Sequence, residues 1–194
     1  MRYSVEEKVL HFLIAGGMIF QLVIENRMRR PEPGKSVTES QIMLFGAHEF
    51  VGVCLLIMVI TRFMLMTGNR KSLLRLFPWL EPEGRHGIMN EIRNTLPDWF
   101  TGQLKDAGEQ DFLAKTVHGL GLLLALGLGL TGLVLFIGIS PEGAMGALGK
   151  EVVEVHELLG TLLWVFITGH VVMTLYHQLL GHRVLQYIFW GADR

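Results

Sequence analysis

VHELLGTLLWVFITGHVVMTLYH, residues 155–177, decides how the rest of the chain is read. It is an apolar run broken by His156, His170 and His177. On a helix, the fourteen residues from His156 to His170 turn through about 1400°, which leaves the two imidazoles roughly 40° apart on one face. The same steps separate them by roughly 21 Å along the axis, most of the thickness of a bilayer's hydrocarbon core. One spanning helix then presents an imidazole near each membrane face, both directed into the same bundle. That arrangement suits two metal centres stacked across a membrane.

Composition agrees with a membrane setting. Half of the 194 residues are hydrophobic, too many for an ordinary soluble domain of this size. The net charge of −1 offers no basic surface for nucleic acid. Cys54, the only cysteine, lies inside an apolar run, which excludes disulfides, thiolate metal sites and covalent haem attachment through C-x-x-C-H. No cleavable leader is expected, because the first apolar run holds His11 and ends in Glu25, Asn26 and Arg27.

Working outward, four spans are expected, at about 3–25, 42–66, 116–139 and 153–177. Ser4 and Glu7 form an S-x-x-E capping box for the first. Residues 25–41 read as a polar loop with Pro31, Pro33 and Gly34. The second span holds His48 near its start and Arg62 near its end, and Gly68 and Asn69 break it. Residues 70–115 form a long second loop. Within it KSLLRLFPWL interleaves apolar residues with Lys71 and Arg75 and reads as interfacial. The remainder, with several turn signals, reads as a connector or a partner surface. Gly119, Gly121, Gly127, Gly129 and Gly132 line the third span, for close helix contact or for a flat cofactor against the backbone. Residues 140–150 read as a Pro/Gly turn, and the tail with Arg183, Tyr187 and Trp190 as an interfacial anchor. The fold class is therefore an all-α membrane protein: a single-domain, up-down-up-down four-helix transmembrane bundle with an interfacial segment in the second loop. Twelve of the seventeen Lys and Arg residues fall on the side of the termini and the second loop. The positive-inside rule places that side in the cytoplasm.

A lone histidine in a span is as often a structural hydrogen bonder as a ligand. Here the positions interlock. In such a bundle His11 and His170 lie toward the inner end, and His48 and His156 toward the outer end. Two pairs result. Zinc is disfavoured, because HEFVG at His48 and HELLG at His156 carry glycine where H-E-x-x-H needs its second histidine. A glycine one turn from each histidine instead clears space on the same face for a porphyrin held edge-on. Two imidazoles per iron suit electron transfer rather than oxygen binding. Arg62, fourteen residues after His48, reaches the inner level and can grip a propionate or simply snorkel. His118 competes for a place as an inner ligand. His177 faces solvent or a quinone pocket wall, and His86 and His182 read as solvated.

These residues resemble the bacterial cytochrome b561-type diheme membrane cytochromes, which include the cytochrome b subunits of nickel–iron hydrogenases and the gamma subunits of respiratory formate dehydrogenases. The resemblance rests on His11, His48, the His156–His170 spacing, Arg62 and His118, and extends over all four spans. It implies two non-covalent haem b groups, ligated by His11 with His170 and by His48 with His156. It implies electron transfer between a redox partner and membrane quinone. The chain is then either the cytochrome b subunit of a respiratory complex or a stand-alone quinone oxidoreductase. A haem-free transporter or structural membrane anchor is a third reading. The expected setting is the bacterial inner membrane with both termini cytoplasmic. A quinone site is expected near His118, His177 and Tyr176.

Overall fold

The structure, a computed structural model, describes residues 5–31, 34–101, 112–139, 146–182 and 184–189. The described residues form helices joined by turns, with no strand among them. In chain order these are α1 (Val5–Glu25), α2 (Glu39–Thr67), α3 (Arg70–Leu76), a short 3-10 turn (Pro78–Leu80), α4 (Pro82–Thr101), α5 (Phe112–Gly138), α6 (Ala147–Leu179) and α7 (Val184–Phe189). Four of them, α1, α2, α5 and α6, are long and apolar enough to cross a membrane. Their apolar residues cover most of each helix. Val165 is 67% and Leu179 85% exposed, and buried residues such as Leu56, Val59 and Leu163 are few. A helix that is apolar nearly all round is stable when lipid, rather than water, solvates it.

The expected spans 42–66 and 153–177 sit inside α2 and α6, 116–139 runs one residue past α5, and residues 3–4 of the first lie outside the described residues. α2 begins three residues earlier than expected. Thr38 and Gln41 form a reciprocal capping box, the Thr38 amide donating to Gln41 Oε1 at 3.0 Å and the Gln41 amide to Thr38 Oγ1 at 3.3 Å. α6 begins at Ala147, so Lys150 lies in helix rather than in a turn. Ser4 of the expected first capping box lies outside the described residues, as do Pro33, Arg183 and Trp190. Asn69 ends the break after α2 by capping α3, its side chain accepting from the Lys71 amide at 3.0 Å.

The chain divides into two compact units: Met1–Val9, Phe63–Leu122 and Phe166–Arg194 form the first, and Leu10–Arg62 with Leu123–Val165 the second. In the second unit all four long helices meet. Gly17 of α1 faces Leu55 of α2, Gly129 of α5 faces Leu56, and Gly127 faces Leu159 of α6. Gln21 of α1 donates to the His48 carbonyl at 2.8 Å. Along α1 and α2 the contacts run in opposite chain directions, as they do along α5 and α6, which is the up-and-down order expected. The glycines of the third span thus serve close helix approach.

In the first unit the second loop is folded, not extended along a surface. Phe77 and Pro78 are buried. The Phe77 ring stacks on Phe63 at 5.9 Å and meets Trp79 edge-on at 5.3 Å. Within KSLLRLFPWL the central aromatic thus faces protein, while Leu80 stays exposed. Beyond it, part of the stretch expected to hold several turns is α4, with Pro82 at the first helical position, where proline fits, and Gly84 and Gly87 within it. Both glycines mark close contacts, Gly84 with the Pro78 backbone and Gly87 with the Phe112 ring. Glu91 of α4 accepts from the Leu113 amide at 3.0 Å, satisfying one of the free N–H groups at the start of α5. Gly119 on α5 lies against the Leu76 carbonyl and Trp79.

Candidate functional site

The second unit brings His48 and His156 together. Their ring centroids are 6.2 Å apart and their planes lie 77° from parallel. A metal ion bonded to one nitrogen of each ring at about 2.0–2.1 Å holds two imidazole centroids roughly 6.3 Å apart. The 6.2 Å separation is close to that of two rings facing each other across one metal.

His156 is held by a hydroxyl on α5. Thr131 Oγ1 lies 2.8 Å from His156 Nδ1 and 2.8 Å from the Gly127 carbonyl one turn back on α5. With the hydroxyl proton on the Gly127 carbonyl, the hydroxyl lone pair accepts Nδ1–H. That tautomer leaves Nε2 with a lone pair, the form a ligating imidazole needs. Gly132 leaves room for the ring: a Cβ there would stand 3.3 Å from His156 Cε1. Thr131 carries no signal in the sequence, since a threonine in an apolar helix is ordinary and its partner lies 25 residues away.

His48 is held differently. Its carbonyl is tied to Gln21, and its buried Nδ1 has no hydrogen-bond partner among the described residues. A buried nitrogen without a partner is a group that calls for one. The clearance expected beside each histidine is only partly there. A Cβ on Gly52 would meet Gln21 Nε2 at 3.1 Å, so the amide occupies that space, whereas Gly160 has only Glu25 Oε2 at 4.0 Å. Arg62 is half-buried at the end of the second unit's share of α2.

The first unit places His170 against two rings. Phe166 stacks on it at 5.7 Å, and His118 meets it edge-on at 5.0 Å. His118 Nδ1 lies 2.6 Å from the Ala114 carbonyl, so it too carries the proton on Nδ1. The His118–His170 spacing is shorter than that of His48 and His156. His11 belongs to the second unit, where its ring meets Phe12 edge-on at 5.7 Å. Tyr176 is half-buried on α6. His177, expected at solvent or a quinone pocket wall, is hydrogen-bonded to His182, Nδ1 to Nδ1 at 2.8 Å. That corrects the reading of His182 as merely solvated. His86 is exposed on α4, beside a hollow of about 530 Å³ lined also by Glu83, Gly87, Asn90 and Phe112.

Compared with known proteins, residues 2–191 match the family model described as prokaryotic cytochrome b561. Neither the curated proteins nor the solved structures contain a match to the chain.

Proposed function

Because the chain belongs to the prokaryotic cytochrome b561 family, we propose that it holds two b-type haems and carries electrons across the membrane between a redox partner and quinone. Bound haem supplies one-electron redox chemistry, which is the family's means of transmembrane electron transfer. The observation that carries the reading is the His48–His156 pair at 6.2 Å. These two residues would hold one haem, with Thr131 presenting His156 in its ligating form. The second haem is assigned to His11 and His170 on the sequence pattern, and Arg62 to a propionate. His118, His177 and Tyr176 are assigned to quinone. Two imidazoles on each iron would leave no place there for substrate, which suits electron transfer. The chain serves as the cytochrome b subunit of a respiratory complex in the bacterial inner membrane, with cytoplasmic termini; α3 and α4 offer a folded surface for a partner. A stand-alone quinone oxidoreductase is the alternative for the same site.

Thr131 gives one test. Thr131→Val keeps the side chain's shape and removes the acceptor. Haem retention at that site should fall roughly 10–100-fold, the usual loss when a ligand's hydrogen-bond partner is removed. A less basic His156 favours ferric iron less, so one of two redox midpoints should move upward while the other stays. Thr131→Ser should restore both. A titration with unchanged midpoints in Thr131→Val would remove Thr131 from the site.

A second reading of the inner ligands is favoured by His118, which contacts His170 and presents the same tautomer as His156. Haem counting decides. Wild type should extract with two haems per chain, His11→Ala with one and His118→Ala with two. The reverse pattern would make His118 the partner of His170.

A further inference from the structure

The C-terminal end of α6 holds a pair of imidazoles that the haem reading leaves aside. The Gly181 amide donates to the Gln178 carbonyl at 3.1 Å and the His182 amide to the His177 carbonyl at 3.0 Å. Gly181 has φ +87°, a left-handed conformation that glycine adopts without cost to its side chain. This is the helix-ending reversal in which the second residue past the cap folds back over the last turn. The side chains that meet in such a reversal are usually apolar. Here they are His182 and His177, with ring centroids 5.1 Å apart and Nδ1 atoms 2.8 Å apart in a part-buried setting. At that distance one ring donates and the other accepts, so one proton lies between them. Beyond the reversal, the Leu185 amide donates to Gln178 Oε1 at 3.3 Å and ties α7 back to the same turn. The pair is thus built into the chain trace.

Its place along the helix matters. His177 follows His170 by one heptad, so it lies about 10 Å further along α6 and within roughly 20° of the same face. We propose that His177 and His182 are the proton-exchange station of the quinone site, moving protons between quinone and water while electrons pass to or from haem. This rests on the reading that quinone reacts near the His170 end of α6. Oxidation of one quinol to quinone releases two electrons and two protons. The electrons reduce two ferric haems to ferrous, and both protons must reach water. His177 accepts a proton at Nε2 and passes its Nδ1 proton across the hydrogen bond to His182 Nδ1. His182 gives its Nε2 proton to water. With the hydrogen bond then open, each ring takes a proton from water on one nitrogen and gives one to water from the other, which restores the starting tautomers before the second proton arrives. Quinone reduction runs the same steps backward. Imidazole suits the task because it gains and loses protons near neutral pH.

The test uses the full-length, haem-loaded protein, a short-chain quinol as reductant and dithionite as a control that needs no proton path. A pH-indicator dye records proton release beside haem reduction. His182→Ala should keep both haems and both midpoints, match wild type with dithionite, and react with quinol roughly 10–100-fold more slowly, with proton release slowed equally. His182→Gln, which keeps a hydrogen-bonding side chain on the reversal but cannot relay a proton, should be as slow. Added imidazole should restore most of the rate in His182→Ala. A wild-type quinol rate in both variants overturns the proposal. So does a slow His182→Ala that imidazole does not restore, since that marks a structural role. Failure of wild type itself to react with quinol, with dithionite reduction intact, instead removes the quinone reading beneath it.

Discussion

His156→Ala should be purified with one haem per chain, its reduced-minus-oxidised b-type signal near half that of wild type. The substitution removes one of two rings spaced at 6.2 Å for a shared metal, and leaves the Thr131 hydroxyl and the His48 side chain without their partner. With Cys54 the only cysteine, no thioether bond can hold the porphyrin in place. Removing a mere hydrogen-bond partner of a ligand costs roughly 10–100-fold in affinity, so removing the ligand itself should empty the site under purification. His48→Ala should give the same single-haem protein, and the double variant should lose nothing further. His86→Ala, altered at an exposed position on α4, should keep two haems. Full haem content in His156→Ala, measured by acid-acetone extraction against protein, would end the assignment of this pair.

Gly119→Ala should unfold the first unit's cap at a markedly lower temperature. A methyl group at this position would overlap the Leu76 carbonyl oxygen and stand 2.9 Å from Trp79 Cη2. A flexible side chain could turn away, but a backbone carbonyl moves only if α3 and the turn after it move with it. The expected loss is at or above the top of the roughly 1–3 kcal/mol that overpacking usually costs. Gly46→Ala is the control. Nothing lies within 4 Å of a Cβ there, and alanine is the better helix former by about 1 kcal/mol. Thermal unfolding in detergent should therefore rank Gly46→Ala at or above wild type and Gly119→Ala far below. Equal stability of the two variants would show that the 3-10 turn does not rest on α5.

The spans were legible because hydropathy alone selects a lipid-soluble helix, and the histidine spacing was legible because a straight helix turns by a fixed angle per residue. His48 and His156 could be paired from their levels in an alternating bundle. The polar connections were not legible in the same way. The T-x-x-Q capping box at Thr38 and Gln41 hid in what read as loop, although it is a known start signal. Gly84 and Gly87 lie in a stretch that read as a connector with turn signals; in α4 each lets another segment approach closely, a tertiary reason that composition does not display. His182 was misread for want of one step: a glycine just past a helix with His177 in its last turn predicts the reversal that folds the next residue back. Thr131 had no such signal, since its role depends on the ring that another helix brings to it.

The cap over the start of α5 also constrains the order in which the chain can mature. Phe63 and Phe77 stack, and Gly84 rests on Pro78, among residues that leave the ribosome close together. Phe112, Leu113 and Gly119 emerge later, at 5–20 residues per second roughly 2–8 s after Phe77. Until then Gly87 and Glu91 lack the partners they have in the finished protein. The nascent chain must keep α4 in reserve, its apolar residues shielded by lipid surface or chaperone, and α5 is the template on which it closes.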